Sequence, residues 1–503
     1  PRHLVHCKIR HVMSGRSLAV ALLALILGSC EKAPSHSFVS LKNGAFTLDD
    51  KPFFPLGVNY VVQLQFIDSA CWAAPCRNYE RGDTFRYRSR DSSLLEIKAE
   101  FRLMRNMGFN SVRLVGLGSD LKAKEGSNGI FLNAQYGRGQ DSLYALSGAG
   151  LTRYLDAVSE VVELAKEEGL KLVILVRLRP EHPRWEEIFK QMADRFGNEP
   201  TVMAYDFFNE PLYFDVHDRP KKNVYELVKH WHWLMKAEAP HQLGTIGLVG
   251  VPEVFAWDPN LLDVDFISFH PYEYQNEQVR NEMHWYGQYV DKPWIIGETA
   301  IPADNDSVPY ADQLAFARKT LVQARACGAV GYTWWQFKDV GWGTFHADFM
   351  GVMSRTGDTR VADGLPVVQG TVKPVVQAFR EFDPNAQRST CVQLPNYYNF
   401  SALTSARLTG RLLDEQGRPI EGGVVTAWNA GWTTSYYTIT KADGSFALYG
   451  DFPFHHWMAS ATRYSMVRGD VRPNAYITDS SGTPTFYLGD LIVEHLPFAD
   501  PEP

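Results

Sequence analysis

Thr201-Val202-Met203-Ala204-Tyr205-Asp206-Phe207-Phe208-Asn209-Glu210-Pro211 is an apolar run that ends abruptly on an amide, a carboxylate and a proline. Such a run predicts a buried strand, and the Asn-Glu-Pro end places a polar site at its terminus. A second stretch repeats the pattern. After a Lys292-Pro293 turn, Trp294-Ile295-Ile296-Gly297-Glu298-Thr299 is a short apolar strand closed by Glu298. Two strand ends thus each present a glutamate, at the position where parallel-sheet enzymes keep their chemistry.

Around these two runs, short apolar strands alternate with amphipathic helices. Strands are predicted at 53–60, 111–115, 172–178, 202–208, 245–249, 266–270, 294–297 and 331–335. Helices are predicted at 92–107, 151–168, 183–196, 223–237, 276–289 and 310–327, with a final one at 372–382. Eight such units, with no glycine-rich switch-point loop, predict an α/β fold of the closed (β/α)8 TIM barrel type, not an open doubly wound sheet. A hairpin over 38–48 is expected to close the barrel bottom, and another over 349–361 to follow strand eight. Past the linker the helical period disappears. Short β-branched or aromatic runs at 406–413, 423–428, 435–440, 445–449, 457–462 and 486–493 predict a small all-β sandwich. The expected division is a leader and tether at 1–36, a barrel at 37–383, a linker at 384–402 and a sandwich at 403–503.

Composition narrows the partners. At 503 residues two domains are the natural count. The 13% aromatic content, with 13 Trp and 23 Tyr, suits flat sugar-binding surfaces or a large aromatic core. A net charge of -7 without any basic run excludes nucleic acid as a partner. Near the N-terminus, Arg10 and Arg16 precede an apolar run over 18–27, too short to span a bilayer but suited to a signal peptide. Leu27-Gly28-Ser29-Cys30 resembles the lipobox of bacterial lipoproteins. That resemblance implies a start at Met13, with residues 1–12 outside the translated protein, and lipid attachment at Cys30 of an exported, membrane-anchored protein. The alternative is a plain secretory signal. Export permits disulfides: Cys71 and Cys76 are the candidate pair, Cys327 is expected to be a buried thiol, and no cysteine spacing suggests a zinc site.

Glu210 and Glu298 lie 88 residues apart, three units at roughly 30 residues per unit, so strands four and seven bring them face to face across the barrel mouth. Opposed carboxylates cleave glycosidic bonds with retention at separations of about 5–5.5 Å and with inversion at about 6.5–9.5 Å. The region from Phe38 to Phe382 resembles the glycoside hydrolase family 5 cellulases and mannanases. The likeness is carried by Trp185, Ile188, Phe196, Pro200, Val202 and Tyr205 leading into Asn209-Glu210-Pro211, by Phe269-His270-Pro271-Tyr272, by Gly297-Glu298 and by Trp334-Trp335. It implies that Glu210 is the general acid/base and Glu298 the nucleophile. It further implies that Arg113 keeps Glu298 ionised, that Asn209 bonds the sugar 2-hydroxyl, that His270 and Tyr272 belong to the substrate site, and that Trp334 floors it. Trp335 competes with Trp334, since neighbouring strand residues point oppositely. Trp342, Trp72 and Tyr60 are weaker aromatic candidates. No metal or organic cofactor is implied.

One departure stands out: strand three, where the family usually ends on a histidine, offers Arg177-Leu178-Arg179. Either arginine suits an acidic or modified sugar, or pairs with Glu181. Inserts at 63–90 and 116–148 are expected on the active face, walling off one end of a cleft. In the C-terminal domain, the stretch 408–425 and Asp443-Gly444-Ser445-Phe446 resemble carboxypeptidase-regulatory-like sandwiches of exported bacterial proteins. Trp428, Trp432, Tyr436 and Tyr437 suit either a carbohydrate platform or interdomain packing. The expected activity is retaining hydrolysis of β-glycosidic bonds in a carbohydrate of β-glucan or β-mannan type. Alternatives are a transglycosylase or inverting hydrolase on the same barrel, or a non-catalytic carbohydrate-binding lipoprotein.

Overall fold

Strands covered on both faces read as near-continuous apolar runs, and the central strands of this chain do, broken by few polar residues. In the computed structural model, Val202–Asn209 is buried at every position up to Phe208, as are Ser111–Val115 and Lys171–Leu175 throughout. The structure describes residues 37–499 except 68–69, 77–88, 118–120, 124–128, 135–141, 182, 216, 356–358, 363–364, 387–388, 402, 472–474 and 481. The leader and its Cys30 therefore lie outside the described residues. Among those described, no helix is long and apolar enough to cross a membrane.

Eight parallel strands close into a barrel in chain order: strand one Leu56–Ile67, two Ser111–Val115, three Lys171–Leu175, four Val202–Asn209, five Leu243–Leu248, six Ile267–Phe269, seven Trp294–Ile296 and eight Gly331–Trp334. Strand eight pairs with strand one, Tyr332 opposite Leu56 and Trp334 opposite Val58, which completes the ring. Helices Arg90–Asn106, Ala149–Glu167, Pro183–Phe196, Lys221–Glu238, Gln278–Tyr289 and Tyr310–Ala326 cover the outside. The first of these starts where Ser89 accepts the Ser92 amide hydrogen, satisfying a donor the helix leaves unpaired. Ser40–Lys42, Ala45–Leu48 and Lys51–Pro52 form a small antiparallel sheet. Its Phe46, with Val39, packs on Val173, Met203, Leu243, Phe266 and Ile295 and plugs the barrel bottom.

Three expectations need correction. Strand one runs on past the predicted residue 60 because Val62 to Ile67 pairs antiparallel with Ala70–Pro75. After strand eight the described residues of 349–361 do not pair with one another as a hairpin; the chain makes a single helical turn at Phe345–Asp348, and the antiparallel pair is Thr359–Ala362 with Leu365–Gln369. The last barrel helix shrinks to Val376–Glu381, since Val372 is held in a bridge to Met353 and Pro374 follows.

The cysteines also pair differently. Cys71 and Cys76 are not joined to each other; five residues of extended chain separate them by about 16 Å, beyond the roughly 7 Å Cα limit for a disulfide. Burial pushes the Cys71 thiol up to about 12. Cys327, just past the end of helix Tyr310–Ala326, is joined to Cys391.

The C-terminal region is all β, in two four-stranded sheets. One orders Ser445–Gly450, Ala406–Asp414, Pro484–Val493 and Ile477–Thr478; the other orders Ser435–Ile439, Val424–Trp428, His456–Ser460 and Val467–Asp470. Leu412, Val425, Phe446, Ala459 and Leu491 fill the space between them. This sandwich is fastened to the barrel by buried polar contacts. Trp285 Nε1 donates to the Gly422 carbonyl (2.8 Å). Lys221 Nζ donates to Asp258 (2.8 Å) and to the Ala461 carbonyl (2.9 Å), while the Arg463 amide also donates to Asp258 (2.7 Å).

Candidate active site

Glu210 follows the last residue of strand four and has φ 50° and ψ 66°, a left-handed conformation uncommon for a residue with a Cβ. Its surroundings hold it there. The Glu210 amide donates to the Gly247 carbonyl of strand five (2.7 Å), and its carbonyl accepts from the Tyr213 and Phe214 amides of the one-turn helix Pro211–Phe214. Pro211, whose fixed φ suits a first helical residue, starts that turn. Glu298 lies just beyond strand seven, and its amide donates to the Phe269 carbonyl of strand six.

Beneath both glutamates lies a buried polar layer centred on Arg113 of strand two, which is only 3% exposed. Its Nε and Nη2 donate to Asp206 Oδ2 (2.9 and 2.7 Å), its Nη1 to Asn59 Oδ1 (2.9 Å) and Glu298 Oε1 (2.5 Å), and its Nη2 also to Asn209 Oδ1 (2.7 Å). Tyr272 Oη donates to the other Glu298 oxygen at 2.8 Å. His270, fully buried, sets Nδ1 3.1 Å from Glu210 Oε1 and Nε2 3.4 Å from Ser268 Oγ.

These contacts sort the two carboxyls. Burial pushes Glu210 up to about 7; Arg113 opposes the rise, Asp206 adds to it and Arg177 opposes it. Glu298 is raised as well, chiefly by burial and also by the nearby Glu210, while Arg113 and the Tyr272 hydroxyl oppose the rise. Burial takes His270 down to about 4, so its imidazole is neutral. Both oxygens of Glu298 accept hydrogen bonds, one of them from a cation, and such bonds favour the ionised form. Glu298 is therefore the carboxylate of the pair, and Glu210 the group that holds a proton near neutrality.

Glycine makes room for this layer. A Cβ on Gly247 would lie 2.4 Å from His270 Cε1, and one on Gly297 would lie 1.8 Å from Ser268 Oγ. The Gly297-Glu298 pair thus has a steric origin: the imidazole of the neighbouring strand occupies the space.

Above the layer a cavity of about 600 Å³ opens at the barrel mouth, lined by Glu210, Glu298, Asn209, Tyr272, Trp335, Trp342, Phe214 and Arg177 among others. The sequence-predicted residues divide accordingly. Glu210, Glu298, Asn209 and Tyr272 face the cavity. Arg113 and His270 do not line it: Arg113 contacts Glu298 from below, the pairing the resemblance implied, and His270, which the resemblance put in the substrate site, contacts Glu210 from below. Trp334 is a correction of another kind. It is fully buried, its Nε1 donates to the Met350 carbonyl (2.9 Å), and its ring packs on Phe316 and Phe379. Its neighbour Trp335 lines the cavity instead, as alternation along a strand requires. Tyr60 and Trp72 are packing residues, buried at 2% and 4% exposure.

Arg177 lines the cavity with its guanidinium 4.8 Å above the Phe214 ring, while Glu181 lies 3.7 Å from His217. The described part of the 116–148 insert forms a separate three-stranded sheet, Leu121–Ala123, Ile130–Ala134 and Ser142–Ala145. Sequence reasoning passed over Asp206, Asn59 and Ser268. The signal was available: a lone carboxylate inside an apolar buried strand needs a buried partner, and Arg113 was the lone cation in another.

Among the described residues, two groups bring metal-ligating atoms together. Glu210, His270 and Glu298 hold theirs within 4.8 Å of one another, but both Glu298 oxygens are already engaged by Arg113 and Tyr272. His284, Cys327 and Cys391 form the other, and there the sulfurs are spent in the disulfide.

A closed parallel barrel with paired, differently tuned carboxyls at its mouth defines a glycoside hydrolase of the (β/α)8 class. The chain belongs to glycosyl hydrolase family 5: the family model described as Cellulase matches residues 83–339, just over half of it. A search of curated protein sequences finds no match. Among solved structures it is similar to the endo-1,4-beta-mannanase from Rhizomucor miehei, at 14% identity over 69% of this chain and 100% of that one, with a TM-score of 0.45. It is also similar to a GH5_18 protein from Bifidobacterium longum in complex with Manb1-4GlcNAc, at 15% identity over 65% and 80% with a TM-score of 0.41. A third likeness is to the GH2 beta-galacturonidase from Eisenbergiella tayi, at 14% identity over 69% of this chain with a TM-score of 0.43. This chain spans only 55% of the galacturonidase's length.

Proposed function

We propose that this chain is a retaining β-glycosidase in which Glu210 is the acid/base and Glu298 the nucleophile. The observation that carries the reading is the approach of the two carboxyls, with oxygens within 4.8 Å of each other. So close an approach favours direct attack, as at the separation of about 5–5.5 Å in retaining enzymes, over the separation of about 6.5–9.5 Å at which inverting enzymes place a water between the carboxyls. Glu298 attacks the anomeric carbon while Glu210 protonates the departing oxygen. Glu210, now ionised, then takes a proton from the water that releases the sugar. The Glu298 carboxylate at the cavity floor, beside the bond being cleaved, stabilises an oxocarbenium-like transition state. Asn209 spends its Oδ1 on Arg113, so its Nδ2 is the donor offered to the sugar 2-hydroxyl. Trp335 and Trp342 supply flat apolar faces for the ring.

The substrate reading is a β-glucan or β-mannan type carbohydrate, and the compartment reading is an exported lipoprotein anchored through Cys30. The lipobox-like leader supports export, and so does the Cys327–Cys391 disulfide, since such bonds persist in oxidising compartments. The likeness of residues 408–425 to carboxypeptidase-regulatory-like sandwiches fits the same setting.

Aryl β-glucosides and β-mannosides, with β-mannan, β-glucan and xylan, test the activity. Glu298→Gln and Glu210→Gln are expected to lower kcat on unactivated substrates by at least about 10²-fold, and the first-formed sugar should keep the β configuration by NMR. Unchanged rates in either variant, or an α product, would overturn the proposal.

A further inference from the structure

Glu210 is held by the turn that follows it, and that turn is itself held from a distance. Glu253, 2% exposed on the 3-10 helix Val251–Phe255, accepts at Oε1 from the Leu212 amide (3.0 Å) and from the Val249 amide (3.2 Å). One oxygen thus pins the turn after strand four to the loop after strand five. That loop is anchored in turn by Glu282, 3% exposed on helix Gln278–Tyr289. Its Oε2 packs against that loop so closely that a Cβ on Gly250 would sit 2.4 Å from it. Glu282 also accepts from Gln278 Nε2 (2.8 Å), from Tyr286 Oη (2.7 Å), and from Tyr437 Oη. Tyr437 belongs to the sandwich. The same 3-10 helix packs on sandwich strands Val424–Trp428 and His456–Ser460.

We infer that the sandwich is a working part of the active site: through Tyr437, Glu282 and Glu253, acting as positioning residues, it sets the place from which Glu210 delivers its proton. This rests on the reading of Glu210 as the acid. Tyr437 reaches Glu282, and Glu253 reaches the Leu212 amide, by hydrogen bonds, and the two glutamates meet through the packed 250–253 loop, in a buried layer where side chains have few alternative arrangements. A binding module on a free linker would need no such path. Here a tyrosine hydroxyl of one domain is the outermost donor to a carboxylate that supports the catalytic loops of the other.

The test uses the full chain and two leaving groups. Departure of a weakly basic dinitrophenolate needs little proton assistance, whereas departure of phenolate needs much, so misplacing the acid slows the second selectively. Rates on phenyl and dinitrophenyl β-glucosides and β-mannosides are measured per active site titrated, which removes any unfolded fraction. Tyr437→Phe and Glu253→Ala are expected to lose about tenfold more on the phenyl substrates than on the dinitrophenyl ones, a fraction of what general acids contribute. Glu253→Gln, which keeps the Oε1 acceptor, should restore most of that difference. If Glu253→Ala does not fold, Tyr437→Phe alone decides, because it keeps the ring and removes only the hydroxyl. A loss equal on both leaving groups, or no loss, overturns the inference. Glu210→Gln is the reference: if it shows no leaving-group dependence, the acid assignment itself falls.

Discussion

Glu210 and Glu298 share one buried layer but keep different company, and the difference sets the pH range in which they work together. On the proposed roles, Glu210 acts as an acid only while protonated, so activity is expected to fall as pH rises through about 7. Glu298 would act only while ionised, so activity is expected to fall on the acid side as well. Arg177 opposes the rise of Glu210, and removing its charge has a definite sign: Arg177→Gln is expected to move the alkaline limb of kcat/KM to higher pH, read from pH profiles of both enzymes. A limb that stays put or moves down would show that another group controls it. Legibility at this scale was uneven. Asn-Glu-Pro and Gly-Glu marked both glutamates, because a polar residue ending an apolar strand is conspicuous. Arg113 was found with its contact to Glu298, but His270 was put in the substrate site, since sequence shows which strand carries a side chain and not how deep in the barrel it stops.

At the scale of elements, the barrel follows from eight apolar runs separated by helical periods, and these are visible without coordinates. What resists reading is the phase at a strand's end. Trp334 and Trp335 are chemically identical neighbours, and only the path of strand eight decides which packs on Phe379 and which faces the cavity. Residues 349–361 misled for a related reason: their turn-rich pattern is that of a hairpin, but the pairing partners lie further along, at Leu365–Gln369. The interlock of strands five, six and seven supports a prediction of its own. Gly247→Ala should force His270 away from Glu210 and cost about 1–3 kcal/mol by overpacking. A fall in Tm accompanied by a loss of kcat larger than the loss of folded protein is the expected result; unchanged kinetics would mean that His270 does not position Glu210.

The whole molecule carries several carboxyls that burial drives upward: Glu210 to about 7, Glu253 to about 8 and Glu273 to about 7, from an ordinary 4.5. The folded chain therefore binds protons that the unfolded chain has released, and stability must fall as pH rises from about 4.5 to about 8. His270, lowered to about 4 from 6.5, acts the other way only below 6.5. Tm is expected to drop between pH 6.5 and 8, and Glu253→Gln should flatten that slope; a Tm that climbs over this range contradicts the assignment. The existence of two folded regions was legible from the change of periodicity near residue 400. Their fastening was not, because Tyr437 and Glu282 are 155 residues apart and neither is unusual in its own segment.

The Cys327–Cys391 bond has a topological side. Sixty-four positions separate its ends, and between them lie strand eight, Trp335, Trp342 and the final barrel helix. Strand eight is the stave that closes the barrel against strand one. The closing stave and both cavity tryptophans thus sit inside a covalent hoop. A protease that nicks the backbone anywhere within the hoop opens a loop but frees no fragment, and the stave stays tethered at both sides of the cut until a reductant severs the sulfurs.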